Sequence, residues 1–146
     1  MDDFRPGDLV EIATPKGLAY VLVTHDHQSY PSVVRVLRGL HAGRPDDPAG
    51  LATGDPAFTA MIPLAGALAR LGLDHRIVAR IDPATLGAFP VFRMPIRDKA
   101  GAIVYWWYWD GRSLSFDADP ARDDEAIPMR EILSADAFLD RLLSMA

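Results

Sequence analysis

Apolar and polar positions alternate most regularly between Phe89 and Phe116, where FPVFRMPIRDKAGAIVYWWYWDGRSLSF reads as three antiparallel strands joined by two tight turns. Asp110-Gly111 is a favoured two-residue hairpin turn, because both central positions of such a turn need positive φ. It pairs Trp109 with Arg112, Trp107 with Leu114 and Tyr105 with Phe116. The earlier turn, Asp98-Lys99-Ala100-Gly101, pairs Ile96 with Ile103, Met94 with Tyr105 and Phe92 with Trp107. The two registers agree on the faces. Phe92, Met94, Ile96, Ile103, Tyr105, Trp107, Trp109, Leu114 and Phe116 form the expected core face. Val91, Arg93, Pro95, Arg97, Val104, Trp106, Tyr108, Ser113 and Ser115 form the other. A one-residue slip would exchange them.

Upstream, Pro6-Gly7-Asp8 is a turn into a strand over Leu9–Ala13, and Thr14-Pro15-Lys16-Gly17 is a second turn into Leu18–Thr24. This hairpin pairs Val10 with Val21 and Ile12 with Ala19, with Val23 on the same side. Leu9, Glu11, Tyr20 and Leu22 fall on the opposite side. The second strand is apolar on both faces, so its sheet is covered or curled. Ser32–Arg38 is a third strand, with Val34 and Val36 on one face and Val33 and Leu37 on the other. Gly39–Pro56 is rich in Gly, Pro and Asp and reads as a long surface loop, a type that is often functional or mobile. A strand over Ala57–Ile62 follows. Pro63 then opens a short helix, LAGALARL, with a Leu64/Leu68/Leu71 stripe and Gly72 as its stop. His75–Ile81 alternates as another strand. At the end, Ser134 caps a helix with Asp136 in its first turn and Phe138, Leu139, Leu142 and Leu143 on one side, suited to pack on a sheet.

These elements predict a single α+β domain over residues 1–146. Its antiparallel sheet is barrel-like or strongly bent, with a short middle helix and a C-terminal helix. The length of 146 residues supports a core without staples, and 49% hydrophobic with 24% charged residues excludes disorder. The absence of cysteine removes disulfide frameworks, thiolate metal sites and cysteine nucleophiles. A net charge of −5 without a basic run argues against nucleic acid as a partner. No apolar run reaches the ~20 residues of a membrane span, and the acidic start shows no signal-peptide pattern, so a cytoplasmic location is expected. Nothing signals a cofactor.

Candidate chemistry centres on the second face of the meander. Arg93, Trp106 and Tyr108 are the expected binding residues, since Arg, Trp and Tyr desolvate much area while keeping donors. Arg93 is placed opposite Trp106, where it can stack as a cation–π pair. The competing reading is that a loop or helix covers this face, making the aromatics a second layer of core. His25 and His27, at i and i+2 on a strand end, point the same way and are candidate metal ligands, against the plainer reading of polar turn residues. The acidic run Asp117–Glu125 fails the calcium-loop pattern, with Arg122 where Gly is needed and Pro128 where Glu is needed. It reads as solvated charge or as a negative patch for a basic partner. No GxSxG, GxxxxGK[ST] or GxGxxG occurs, and Asp8 and Glu11 are available acids that nothing selects.

PGDLVEI followed by AYVLV, then Pro90 and Phe92-Arg93, the aromatic strand ending Trp109-Asp110-Gly111, and the closing LSADAFLDRLL resemble bacterial immunity-type domains of polymorphic toxin systems, the immunity family numbered twenty-six. The resemblance covers about half the chain and carries no binding residue across. It implies a non-enzymatic protein that neutralises a toxin by binding it. A non-catalytic module that binds another protein is therefore the leading expectation. A small metal-dependent or hydrolytic enzyme built on His25 and His27 is the alternative, and self-association through the aromatic face is a third reading.

Overall fold

The first hairpin forms in the register its turn dictates. In the computed structural model, which describes residues 4–117 and 127–146, β1 (Asp8–Thr14) pairs antiparallel with β2 (Gly17–His25), Val10 against Val21 and Ile12 against Ala19. β3 (Val33–Val36) adds to β2, β4 (Phe58–Met61) to β3, and β5 (His75–Arg80) to the other side of β1. The order is β4-β3-β2-β1-β5, open at both ends, so among the described residues the sheet does not close into the expected barrel. All these pairings are antiparallel. This sheet belongs to the first of two compact units, Met1–Gly87 with Ile132–Ala146; the second is Ala88–Glu131.

Alternation along the strands sends one set of side chains to each face. Val10, Ile12, Val21, Val23, Val34 and Val36 form one face, covered by two helices. α1 (Leu64–Leu71) ends at Gly72, whose φ of 66° is the left-handed conformation a helix stop favours. α2 (Ala135–Leu143) starts at Ser134, whose Oγ accepts from the Ala137 N–H at 3.1 Å. Leu64 and Leu68 from α1 and Phe138 and Leu142 from α2 are fully buried in this core. The other face carries Leu9, Tyr20, Leu22 and Leu37, buried with Leu86. The 39–56 run does not simply loop into solvent: its short 3₁₀ turn, Pro48–Thr53, packs Leu51 and Ala52 against this second core. Strand β2 thus has cover on both sides, as its composition demanded.

Gly7 closes β1 onto the end of β5. Its carbonyl accepts from the Ile81 N–H at 2.7 Å, its φ is 98°, and a β-carbon there would collide with the Ile81 carbonyl oxygen.

The second unit is the meander. β6 (Phe92–Arg97), β7 (Ile103–Trp109) and β8 (Leu114–Asp117) form a separate antiparallel sheet in that order. Its registers differ from those expected by two residues. Trp109 pairs with Leu114 and Phe92, Trp107 with Phe116 and Met94, and Tyr105 with Ile96. The cause is aspartate chemistry at both turns. Asp110 Oδ1 accepts from the Arg112 and Ser113 N–H groups at 2.9 and 2.8 Å, which widens the turn to four residues. Only Gly111 takes positive φ there. Asp98 Oδ1 likewise accepts from Ala100 and Ala102, and a register shift follows at Ile96/Arg97. A two-residue slip preserves parity, so from Phe92–Trp109 to Ile96–Tyr105 the side chains grouped on each face are those expected; beyond the shift Arg97 pairs with Ile103, which the sequence had set on the other face.

Phe138→Ala removes the largest side chain by which α2 enters the sheet core. It should lower unfolding free energy by about 3–5 kcal/mol in urea titrations with little change in slope. A loss below about 1 kcal/mol would show that α2 merely rests on the sheet.

Candidate functional site

The meander buries members of both of its faces and leaves members of both exposed. Trp106 is 2% exposed and Arg93 is buried beside it, so the indole is not offered as a contact surface. The Arg93 guanidinium does lie over the Trp106 ring, 5.0 Å from its centroid, although its cross-strand partner is Tyr108. Arg93 is held by the 127–130 segment: its Nε–H donates to the Ile127 carbonyl at 2.7 Å. Its backbone bridges residues 128–130, accepting from Arg130 N–H and donating to the Pro128 carbonyl. Tyr108 is half-buried. Of the three expected binding residues, Arg93 and Trp106 are therefore packed together, and the Trp106 Nε1–H meets no acceptor among the described residues.

The face assigned to the core splits into a covered and a displayed part. Phe92 and Trp109 are buried under Phe89, whose ring stands 6.0 and 5.4 Å from theirs, and Arg130 lies 4.7 Å over the Trp109 ring. Gly111 makes this possible, since a β-carbon there would sit 2.8 Å from the Phe89 ring. On the β8 side Phe116, opposite Trp107, is 63% exposed and Leu114, opposite Trp109, is 51% exposed. Phe116 meets Trp107 at 5.5 Å and Tyr105 at 6.0 Å, and those two rings meet at 6.1 Å, all in tilted or edge-on geometry. Tyr105, Trp107, Leu114 and Phe116 are the apolar surface this unit displays. One signal for it lies in the sequence. A three-stranded ribbon with aromatics on both faces needs two covers, and β8 alternates its apolar residues with serines.

The chain matches no family model, no curated protein and no solved structure. What it does must be read from its own surfaces.

The histidine pair does not form a ligand set. β2 stops at His25, so the strand alternation that would align His25 with His27 ends between them. His25 Nε2 lies 3.0 Å from the Gly87 carbonyl, which only accepts, so Nε2 carries the proton; Nδ1 then faces the Thr24 hydroxyl at 2.8 Å. His27 Nδ1 accepts from the Ser29 N–H at 3.0 Å, and its ring meets Tyr30 edge-on. Among the described residues no group of three or more His, Cys, Asp or Glu side chains is placed to hold a metal ion. The acidic run that was weighed as a calcium loop or negative patch lies almost wholly outside the described residues.

In the first unit, the charged centre is Glu11, which the sequence did not single out. It sits on the second face of the sheet, 7% exposed, among Leu9, Tyr20 and Leu22. Its Oε2 accepts from Tyr20 Oη–H at 2.8 Å and from Arg44 Nε–H at 2.7 Å, and its Oε1 from Arg44 Nη2–H at 3.0 Å. Arg44 comes from the 39–56 run and grips the carboxylate with a two-pronged fork. Those bonds, Arg44's above all, hold the Glu11 carboxyl below its ordinary value despite burial. Burial and the Glu11 acceptor push the Tyr20 phenol up to about 12. Next to Glu11 an open recess of about 460 Å³ is lined by Ala13, Asp74, His75 and Arg76.

Two outcomes follow. Trp106→Ala should cost about 3–5 kcal/mol of stability, measured by urea titration, because it empties a buried site. A near-neutral change would return Trp106 to the surface. For Glu11, the folded carboxyl titrates below its ordinary 4.5. The stability it contributes is therefore complete above that value and is lost as pH falls through the folded value. Glu11→Gln should show a shallower decline of urea midpoint below that pH than the wild type. Parallel curves would remove Glu11 from the acid response.

Proposed function

We propose that this chain is a non-catalytic protein-binding module whose contact surface is the displayed part of the β7–β8 ribbon: Tyr105, Trp107, Leu114 and Phe116. One observation carries the reading. Phe116, 63% exposed, stands on a strand beside two half-buried aromatic rings and a 51% exposed leucine. Contiguous apolar groups of this kind on a soluble surface mark contact sites, and Trp and Tyr are prominent among binding hot spots. The ribbon beneath is stiffened by the Arg93–Trp106 stack and by the Asp98 and Asp110 turns, so little order is lost on docking.

The resemblance to toxin-neutralising immunity domains fits the same class, with a toxin protein as the partner.

The test is affinity capture by the tagged chain in its own cell lysate, compared with a Leu114→Ser/Phe116→Ser variant. A stoichiometric partner of the wild type should fall at least about tenfold with the variant, while the melting temperature shifts by no more than about 2 °C. Equal capture by both proteins, or a large fall in melting temperature, would overturn the assignment of this surface. Light scattering on the purified chain separates a foreign partner from a second copy.

A further inference from the structure

Each sheet edge in the first unit meets a different fate. β4 is covered: Met61 bridges Ile132 in parallel, and the Leu133 N–H donates to the Met61 carbonyl at 3.0 Å. β5, at the other end of the sheet order, pairs only with β1 among the described residues. Its six residues, HRIVAR, are bounded on both sides by described chain, and His75, Arg76, Ile77 and Arg80 are exposed.

The direction of its free backbone groups follows from two printed bonds. Ala13 N–H donates to the Asp74 carbonyl, and Ile81 N–H to the Gly7 carbonyl. Asp74 and Ile81 thus turn their backbone toward β1. Alternation, with the register shift opposite Leu9/Val10, then turns those of His75, Ile77 and Arg80 outward. Two recesses flank this edge, about 460 Å³ beside Glu11, His75 and Arg76 and about 260 Å³ along Ile77–Arg80.

We infer that the β5 edge is a second binding site, which takes an acidic extended peptide segment as an added strand. Residues directly opposite across a strand pair interact, and opposite charges stabilise the pair. β5 itself carries Arg76, Arg80 and His75 and no acid. The two buried carboxylates nearby are already matched, Glu11 by Arg44 and Asp8 by Arg80, whose side chain stays 66% exposed. Arg76 lies opposite Glu11 on the ladder and its charge helps hold that carboxyl low, but its side chain makes no hydrogen bond or close ion pair among the described residues. Strand addition of this kind draws affinity from main-chain bonds and selectivity from side chains. A partner strand with glutamates facing Arg76 and Arg80 and an apolar residue facing Ile77 complements three of the four exposed side chains of β5. A second copy in the register that sets Arg76 against Arg80 would oppose like charges.

The probe is a fluorescein-labelled peptide, TEVEVTEVT, which puts glutamate on both faces of a strand. Its controls replace each glutamate with lysine, or the central valine with proline. Fluorescence anisotropy should show binding of TEVEVTEVT about tenfold tighter than either control, weakened by salt. Amide exchange should slow at His75, Ile77 and Arg80 on addition of the peptide. Arg76→Gln should weaken binding several-fold at unchanged melting temperature, and Ile77→Pro, which removes an outward N–H, should abolish it. Binding of TEVEVTEVT and its proline form alike would reduce the effect to bulk charge and overturn the inference. So would unchanged exchange at the three amides, no binding at millimolar peptide, or a dimer that Ile77→Pro converts to monomer.

Discussion

β1 and β2 are buried on both faces, and everything else in the first unit answers that constraint. Leu9, Val10, Ile12, Tyr20, Val21, Leu22 and Val23 are sealed, so each side of one hairpin needs its own cover. Removing such residues from water contributes roughly 25 cal/mol per Å² of apolar area, and an uncovered face forfeits its share. Two helices meet the demand on one side. On the other, no α-helix is among the described residues, and the 39–56 run covers it instead, with Leu51 and Ala52 of its 3₁₀ turn as its apolar contribution. Glu11 explains how an irregular run stays in place. A carboxylate among leucines is costly unless matched, and Arg44 supplies the match from within the covering segment. The charge that looks out of place in the second core therefore fastens its lid.

This hairpin was legible in the sequence and the meander only half so, for a reason visible at the turns. At Thr14–Gly17 the turn geometry and the two apolar faces agree on one register, and any slip by one would expose valines. In the meander, Asp98 and Asp110 each bind backbone N–H groups two to four residues ahead. An Asp-Gly pair is read from sequence as a two-residue turn, but the aspartate side chain offers a wider alternative. Parity survived because the wider turn moved each strand by two. Hydrophobic patterning constrains parity far more strongly than it constrains position along the strand.

Which face of the meander would be displayed was not legible at all. Trp106 and Trp107 are adjacent, chemically identical and on opposite faces; one is 2% exposed and the other half-buried. The difference is made by partners distant in sequence. Ile127 and Pro128 hold Arg93, which lies over Trp106, while Phe89 reaches only the Phe92–Trp109 end of the opposite face. Periodicity identifies the two faces of a ribbon, but cover is a tertiary property, decided by segments that local pattern does not connect. Glu11 was invisible for a related reason. It stands between Val10 and Ile12 as any solvent-facing acid on an outer strand would, and only the fold brings Arg44 across from thirty-three positions away.

The bare edge of β5 poses the same question in another form, because an arginine on an edge strand has two possible meanings. Charges and bulges on edges keep sheets from pairing with one another indiscriminately, and β5 has both. Yet the same arginines do not repel every strand. They raise the cost of pairing for strands that cannot supply carboxylates and lower it for those that can. A guard made of unmatched positive charge is therefore also a filter, and its selectivity grows as neighbouring acids are neutralised by other partners. Asp8 and Glu11 are neutralised in that way, by Arg80 and Arg44. Arg76 faces Glu11, whose carboxylate Arg44 already grips, and its own side chain keeps no close ion pair among the described residues, at an end of the sheet order where β5 pairs with β1 alone.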